Sequence, residues 1–114
     1  TDTPDLTDVN SLHSMFYHAD KLKGNEYFND WDVSSVTNMS GMFEYAFVFN
    51  QPLNNWDVSK VTNMRDVFNE AEAFNQPLND WDVSNVTNMA LMFAGTKAFN
   101  QPLNDWDVSN VTKI

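Results

Sequence analysis

Cysteine is absent from the 114 residues, and with it go disulfides, thiolate catalysis and cysteine-ligated zinc. The absence suits a cytosolic protein and a cysteine-poor bacterial surface protein equally, so it assigns no compartment. Positive charge is scarce: six Lys and Arg against sixteen Asp and Glu leave a formal charge of −10, which repels phosphate backbones and anionic membrane surfaces. Nucleic acid is therefore not an expected partner. No apolar run approaches the roughly 20 residues that span a bilayer, and neither end resembles a signal peptide or a sorting tail, so no membrane insertion is expected of this chain. No nucleophile, base and electrophile converge in the sequence, and neither an EF-hand nor a Gly-rich calcium repeat is present. These absences predict a protein that is not an enzyme, with no catalytic residues, no cofactor and no dedicated metal site.

What is present is repetition. The block from Phe49 to Ala73 recurs as the block from Phe74 to Ala98 with the same residue at 16 of 25 positions. Trp31, Trp56, Trp81 and Trp106 mark the period, and Val33, Val58, Val83 and Val108 follow each by two residues. A repeat this short cannot bury its apolar residues alone, whereas stacked copies can, and 42% hydrophobic with 14% aromatic residues is ample for a continuous core. One repeat domain over 1–114 is expected. It divides into a degenerate or capping first coil at 1–30, full repeats at 31–55, 56–80 and 81–105, and a truncated repeat at 106–114. Leu6, Val9, Leu12, Met15 and Phe16 align with Val33, Val36, Met39, Met42 and Phe43 at an offset of 27, which puts a two-residue insertion near Lys23-Gly24-Asn25. Starting at Thr1 and stopping partway through a repeat, the chain reads as an excised piece. Met92 and Phe93 then lack a covering layer, and self-association through that uncapped C-terminal coil is expected.

Within each repeat, Leu53, Trp56 and Val58 reproduce the spacing that opens a leucine-rich repeat, and Trp-Asp-Val reads as a short strand with Asp57 and its equivalents facing solvent. Val61, Met64, Val67 or Phe68, and Ala71 then recur at three- and four-residue steps, which predicts a helix of about two to three turns capped by Ser59 or Thr62. Asn50-Gln51-Pro52 breaks any helix and leads back to the next strand. The expected fold is an α/β, leucine-rich-repeat-like solenoid of about four coils, each a short parallel strand plus a helix.

The frame Trp81-Asp-Val-Ser-Asn-Val-Thr-Asn-Met89, then Met92-Phe93 and Phe99-Asn-Gln-Pro-Leu-Asn104, resembles the 25-residue repeat of BspA-type leucine-rich repeat surface proteins of mycoplasmas, lactic acid bacteria and related microbes. The match is close over residues 28–112 and looser before them. The resemblance implies a bacterial cell-surface or secreted protein engaged in adhesion or host contact, with a host or microbial surface protein as partner. It supplies no catalytic residues.

Candidate ligand-binding residues fall in two groups. Stacking would place Asp32, Asp57, Asp82 and Asp107 about 4.8 Å apart, where like charges repel by about 1 kcal/mol per pair in a water-like dielectric. The ladder reads as the polar face of the strand, with calcium between successive carboxylates as the sharper alternative. The second group is set by differences among copies: Ser40, Arg65 and Ala90 share one position, Gly41, Asp66 and Leu91 the next, and Tyr45, Glu70 and Gly95 another. Arg65, Asp66, Tyr45 and Glu70 are thus candidates for partner contact. The tryptophans read as core, with an outward sugar-stacking platform, and hence a carbohydrate ligand, as the alternative. Met39, Met64 and Met89 read as core filler. Asn50, Asn75 and Asn100, with their neighbouring glutamines, are expected to bond from coil to coil. His13 and His18 align with Arg65 and Glu70 and are expected in solvent.

Overall fold

Each repeat carries two short polar side chains that compete with regular backbone pairing by bonding to an amide two residues on. The computed structural model describes residues 3–114. In it Asp57 Oδ1 accepts from the Ser59 amide at 3.0 Å and from its hydroxyl at 2.6 Å, and Asp32 and Asp82 hold Ser34 and Ser84 in the same way. Further along, Asn38, Asn63 and Asn88 Oδ1 accept from the amides of Ser40, Arg65 and Ala90. Both devices fold the chain into turns.

Between them the backbone alternates its bonds. The amides of Gly41, Phe43 and Tyr45 donate to Arg65, Val67 and Asn69 carbonyls in the next copy, whereas those of Met42, Glu44 and Ala46 donate three residues back in their own copy. The next pair of copies repeats the pattern, Asp66, Phe68 and Glu70 donating to Ala90, Met92 and Ala94. An α-helix would send every amide four residues back. Left-handed residues recur twice per copy as well, at Gly41 and Tyr45, Asp66 and Glu70, and Leu91 and Gly95, with φ between 59° and 68°. A right-handed helix excludes such residues.

The expected helix is therefore absent, and so is the expected Trp-Asp-Val strand. Among the described residues the only regular element is a 3-10 helix, Glu26–Asp30, and parallel pairing is confined to isolated bridges joining Ser11, Asn38, Asn63, Asn88 and Lys113 in sequence. The α/β leucine-rich-repeat solenoid of strand-plus-helix coils is overturned. Ser59 and Thr62 cap no helix: Ser59 answers Asp57, and the Thr62 hydroxyl donates to the Thr37 carbonyl of the previous copy at 3.3 Å. Apolar residues at steps of three and four face inward here because successive turns bring every third or fourth residue to the same side.

What replaces the solenoid is a set of turns stacked in register. The aromatic rings form columns: Phe16, Phe43, Phe68 and Phe93 stack at 5.4, 5.7 and 5.8 Å between centroids, and Phe49, Phe74 and Phe99 at 6.1 and 6.0 Å. Within a copy the two columns touch, with Phe43–Phe49 at 4.3 Å and Phe68–Phe74 at 4.2 Å. Each such pair contributes about 0.5–1.5 kcal/mol beyond the area it buries. Trp56 and Trp81 are 2% exposed and stack at 6.4 Å, 4° from parallel. Their indole Nε1 atoms donate to Phe28 and Leu53 carbonyls of the preceding copy, at 2.6 and 2.8 Å. Met39 and Met64 are buried and Met89 is partly buried. The Asn and Gln rows also bridge copies, Asn50 Oδ1 accepting from the Asn75 amide and from Gln76 Nε2.

The first copy holds its place with altered parts. The Gln51 amide bonds Lys23 at a separation of 28 residues where Gln76 bonds Asn50 at 26, yet Trp56 bonds Phe28 and Trp81 bonds Leu53 both at 28. The two extra residues therefore lie between Lys23 and Phe28. Leu22 stands where later copies have Phe49, and Phe28 where they have Leu53, so the exchange keeps the core volume nearly constant. With a radius of gyration of 12.9 Å the molecule is as compact as a globular domain of this size, about 13 Å, although it has almost no regular elements.

Candidate functional site

The Asp ladder is exposed throughout, and its chemistry is local. One carboxylate oxygen of each residue accepts from the serine two positions on. For Asp32, Asp82 and Asp107 the serine hydroxyl and then its amide hold the carboxyl below its ordinary range. Asp107 pushes weakly the other way on Asp82, so the rungs feel one another less than they feel their serines. Among the described residues no three potential metal ligands converge. The tryptophan platform is not on the surface, since Trp56 and Trp81 are buried and Trp31 and Trp106 are partly buried against the core.

The second candidate group comes together at a corner. Asp66, Tyr45 and Glu70 sit not on a helix but at the left-handed turn positions, with φ of 60°, 61° and 61°. Ser14, Gly41, Asp66 and Leu91 form one row across the copies, and His18, Tyr45, Glu70 and Gly95 form the second. The left-handed backbone recurs at these positions whichever residue occupies them, so their identity lies outside the recurring frame. Arg65 Nε bonds Asp66 Oδ2 at 3.1 Å, and Lys97 Nζ lies 3.4 Å from Glu72 Oε2. Glu44 accepts from Asn69 Nδ2 at 3.3 Å. Its carboxyl is raised, first by burial and next by the nearby charge of Asp66.

The same corner carries an aromatic cluster that sequence reasoning missed. Tyr17 meets Tyr45 edge-on at 5.7 Å, the His18 ring lies 5.3 Å from Tyr45, and Phe47 is 6.2 Å from Tyr45 and 6.3 Å from His18. Tyr17 is 49% exposed, and Val48, next to Phe47, is also exposed. His18 is solvent-facing yet pairs with Asp20 at 2.5 Å, and His13, also exposed, meets the Ser40 hydroxyl at 2.6 Å. The signal was present in the offset of 27, which puts His18 in register with Tyr45 and so places Tyr17, beside His18, against it.

At the C-terminal end, Leu91, Met92, Phe93, Leu103, Trp106 and Ile114 line an apolar groove of about 410 Å³. The last rung there is Met89 to Lys113.

Turns stacked in register, a recurring buried frame and a varied, partly exposed corner define a tandem-repeat scaffold. The chain belongs to the family described as Mycoplasma protein of unknown function, DUF285, whose model matches residues 2–114. No curated protein and no solved structure matches it.

Proposed function

We propose that this chain is a non-enzymatic binding segment of a bacterial surface protein of the BspA-like type, meeting a host or microbial protein through its varied corner. The observation that carries the reading is the division of labour among positions. Residues that recur in every copy are buried, bridge copies or close turns, while the positions that differ, Ser14/Gly41/Asp66/Leu91 and His18/Tyr45/Glu70/Gly95, lie along one edge with an aromatic cluster among them. Tyr17 is exposed and Tyr45 and Phe47 partly so, and aromatic surface left to water costs hydration unless a partner covers it, while Tyr, Arg and Phe are favoured at protein contacts. A surface location rests on the family resemblance. The test is saturable binding of the chain to host epithelial cells and extracellular matrix, before and after protease or glycosidase treatment, beside a variant with Tyr17→Ser, Tyr45→Gly and Phe47→Ser. Binding removed by protease and by the variant is the expected result. Binding that survives protease but not glycosidase assigns the surface to sugars, and no saturable binding leaves a spacer.

A further inference from the structure

We infer that the corner of the first two copies seats a cationic polypeptide segment, with an arginine side chain stacked on the Tyr17–Tyr45–Phe47 cluster and neighbouring carboxylates holding the rest of its charge. The inference rests on the corner being the contact face and names the chemistry of what it contacts. Its first support is geometric: four rings, those of Tyr17, His18, Tyr45 and Phe47, lie within 6.3 Å of a neighbour across two adjacent copies. A planar guanidinium stacks on such faces, whereas an ammonium gains less from them.

Its second support is charge. Asp20, Glu44, Asp66, Glu70 and Glu72 occupy the corner and the turn beside it. Asp20, Asp66 and Glu72 pair with His18, Arg65 and Lys97, whereas Glu44 and Glu70 form no ion pair among the described residues, although the charges of Arg65 and His13 reach Glu44. Glu44 adjoins Tyr45 in sequence. Glu70 stands one rung on, next to Asn69, whose carbonyl accepts the Tyr45 amide at 2.8 Å. Burial and then the charge of Asp66 raise the Glu44 carboxyl more than Asn69, Arg65 and His13 lower it, so a further cation at this edge would favour its charged form. The net charge of −10 steers the same class of partner toward the molecule from a distance.

The experiment is a calorimetric titration of the intact chain, at physiological salt, with a capped peptide of repeated Arg-Gly-Gly units and with its lysine counterpart. Saturable binding of the arginine peptide, tighter than that of the lysine peptide, is expected. Tyr45→Leu and the double variant Tyr17→Ser with Tyr45→Gly keep the charge and should weaken binding at least tenfold. Asp57→Asn with Asp82→Asn removes two charges from the Asp ladder and should change it less than twofold. Circular dichroism and melting of each variant confirm that the fold is kept, and Tyr45→Gly eases a left-handed backbone. Absence of saturable binding overturns the inference, as does weakening that follows net charge rather than the aromatic residues. Binding of a soluble oligosaccharide at Tyr45 in place of the peptide overturns it too. A corner variant that loses cell binding while the parent ignores the arginine peptide sinks this inference and leaves the proposed function standing.

Discussion

Leu91 and Gly95 occupy the two left-handed positions of the same copy, and the backbone asks the same of both while the side chains answer differently. Leucine with φ of 59° pays a steric cost, and its side chain is 51% exposed, so it recovers little by packing. Leu91→Gly should therefore stabilise by about 0.5–1 kcal/mol, the left-handed penalty of about 1–2 kcal/mol less the extra entropy of glycine in the unfolded chain. Gly95→Ala should destabilise by about 1–2 kcal/mol, because an added Cβ meets the carboxylate of Glu70 as well as the unfavourable φ. Combining Gly95→Ala with Glu70→Gly should return part of that loss. Urea melts of the parent, the three single variants Leu91→Gly, Gly95→Ala and Glu70→Gly, and the double variant read all three outcomes, and equal losses from Gly95→Ala with and without Glu70 would contradict the clash. The identity of these positions was legible as variation among copies, but their backbone was not: Asp66, Tyr45, Glu70 and Leu91 carry no signature of positive φ, and only Gly41 and Gly95 hinted at it.

At the scale of the repeat element, the tryptophan rung and the Asp-Ser turn make separable predictions. Trp81→Phe removes the indole bond to Leu53, whose carbonyl keeps the Trp56 amide as a partner, and should cost about 1–2 kcal/mol from the lost bond and ring area. Trp106→Phe should cost less than half of that, since its ring is half-buried. The carboxyls of Asp32, Asp82 and Asp107 are held below the ordinary value of 3.8, so their contribution is complete above that pH and is lost as pH falls through their folded values. Glu44 has the opposite sign: raised above its ordinary 4.5, it costs stability once pH rises through its folded value. Melting temperature should accordingly drop on acidification below about pH 4. Asp82→Asn should lower the melting temperature at neutral pH and flatten that drop, since the neutral amide lacks the carboxylate's contribution at every pH, and Glu44→Gln should raise the melting temperature at neutral pH but not in acid. An unchanged acid limb in Asp82→Asn would remove the turn from the explanation. The inward set of each element was readable from spacing alone, which placed Val61, Met64, Phe68 and Ala71 correctly in the core. Its conformation was not, because a helix and a run of three-residue turns return side chains to one face at nearly the same interval. The deciding residues were Asn63 and Asp57, whose side chains bond an amide two residues on and so favour turns over regular pairing.

For the whole molecule, the direction of the backbone bonds predicts a gradient of protection along the stack. The amides of Asp66, Phe68 and Glu70 donate to the next copy, whereas those of Leu91, Phe93 and Gly95, their equivalents, meet no backbone carbonyl among the described residues. Hydrogen exchange followed by NMR should show the first three protected by at least about tenfold more than the last three, which open without breaking a rung. Uniform protection would mean that the C-terminal face is covered in solution, as self-association through the groove would cover it. Stacking, the inward tryptophans and the copy-to-copy Asn and Gln bonds all followed from the period, since a strict repeat puts like residues above like. The aromatic corner did not, because its rings, Tyr17 and His18 in the first copy and Tyr45 and Phe47 in the next, stand at positions that do not recur.

The corner rows behave as an ordered string of chemical letters, aromatic at Tyr45, acidic at Glu70 and blank at Gly95, written on a backbone that is the same at every rung. Unequal exchange between tandem copies of a gene shifts that string by whole repeats and leaves every buried ring above another ring. Slippage by a single residue would instead turn the columns of Phe and Trp outward. The fold thus accepts rearrangement by whole repeats, and confines an insertion such as that between Lys23 and Phe28 to a loop, so new surfaces can be composed by shuffling units without any refinement of the core.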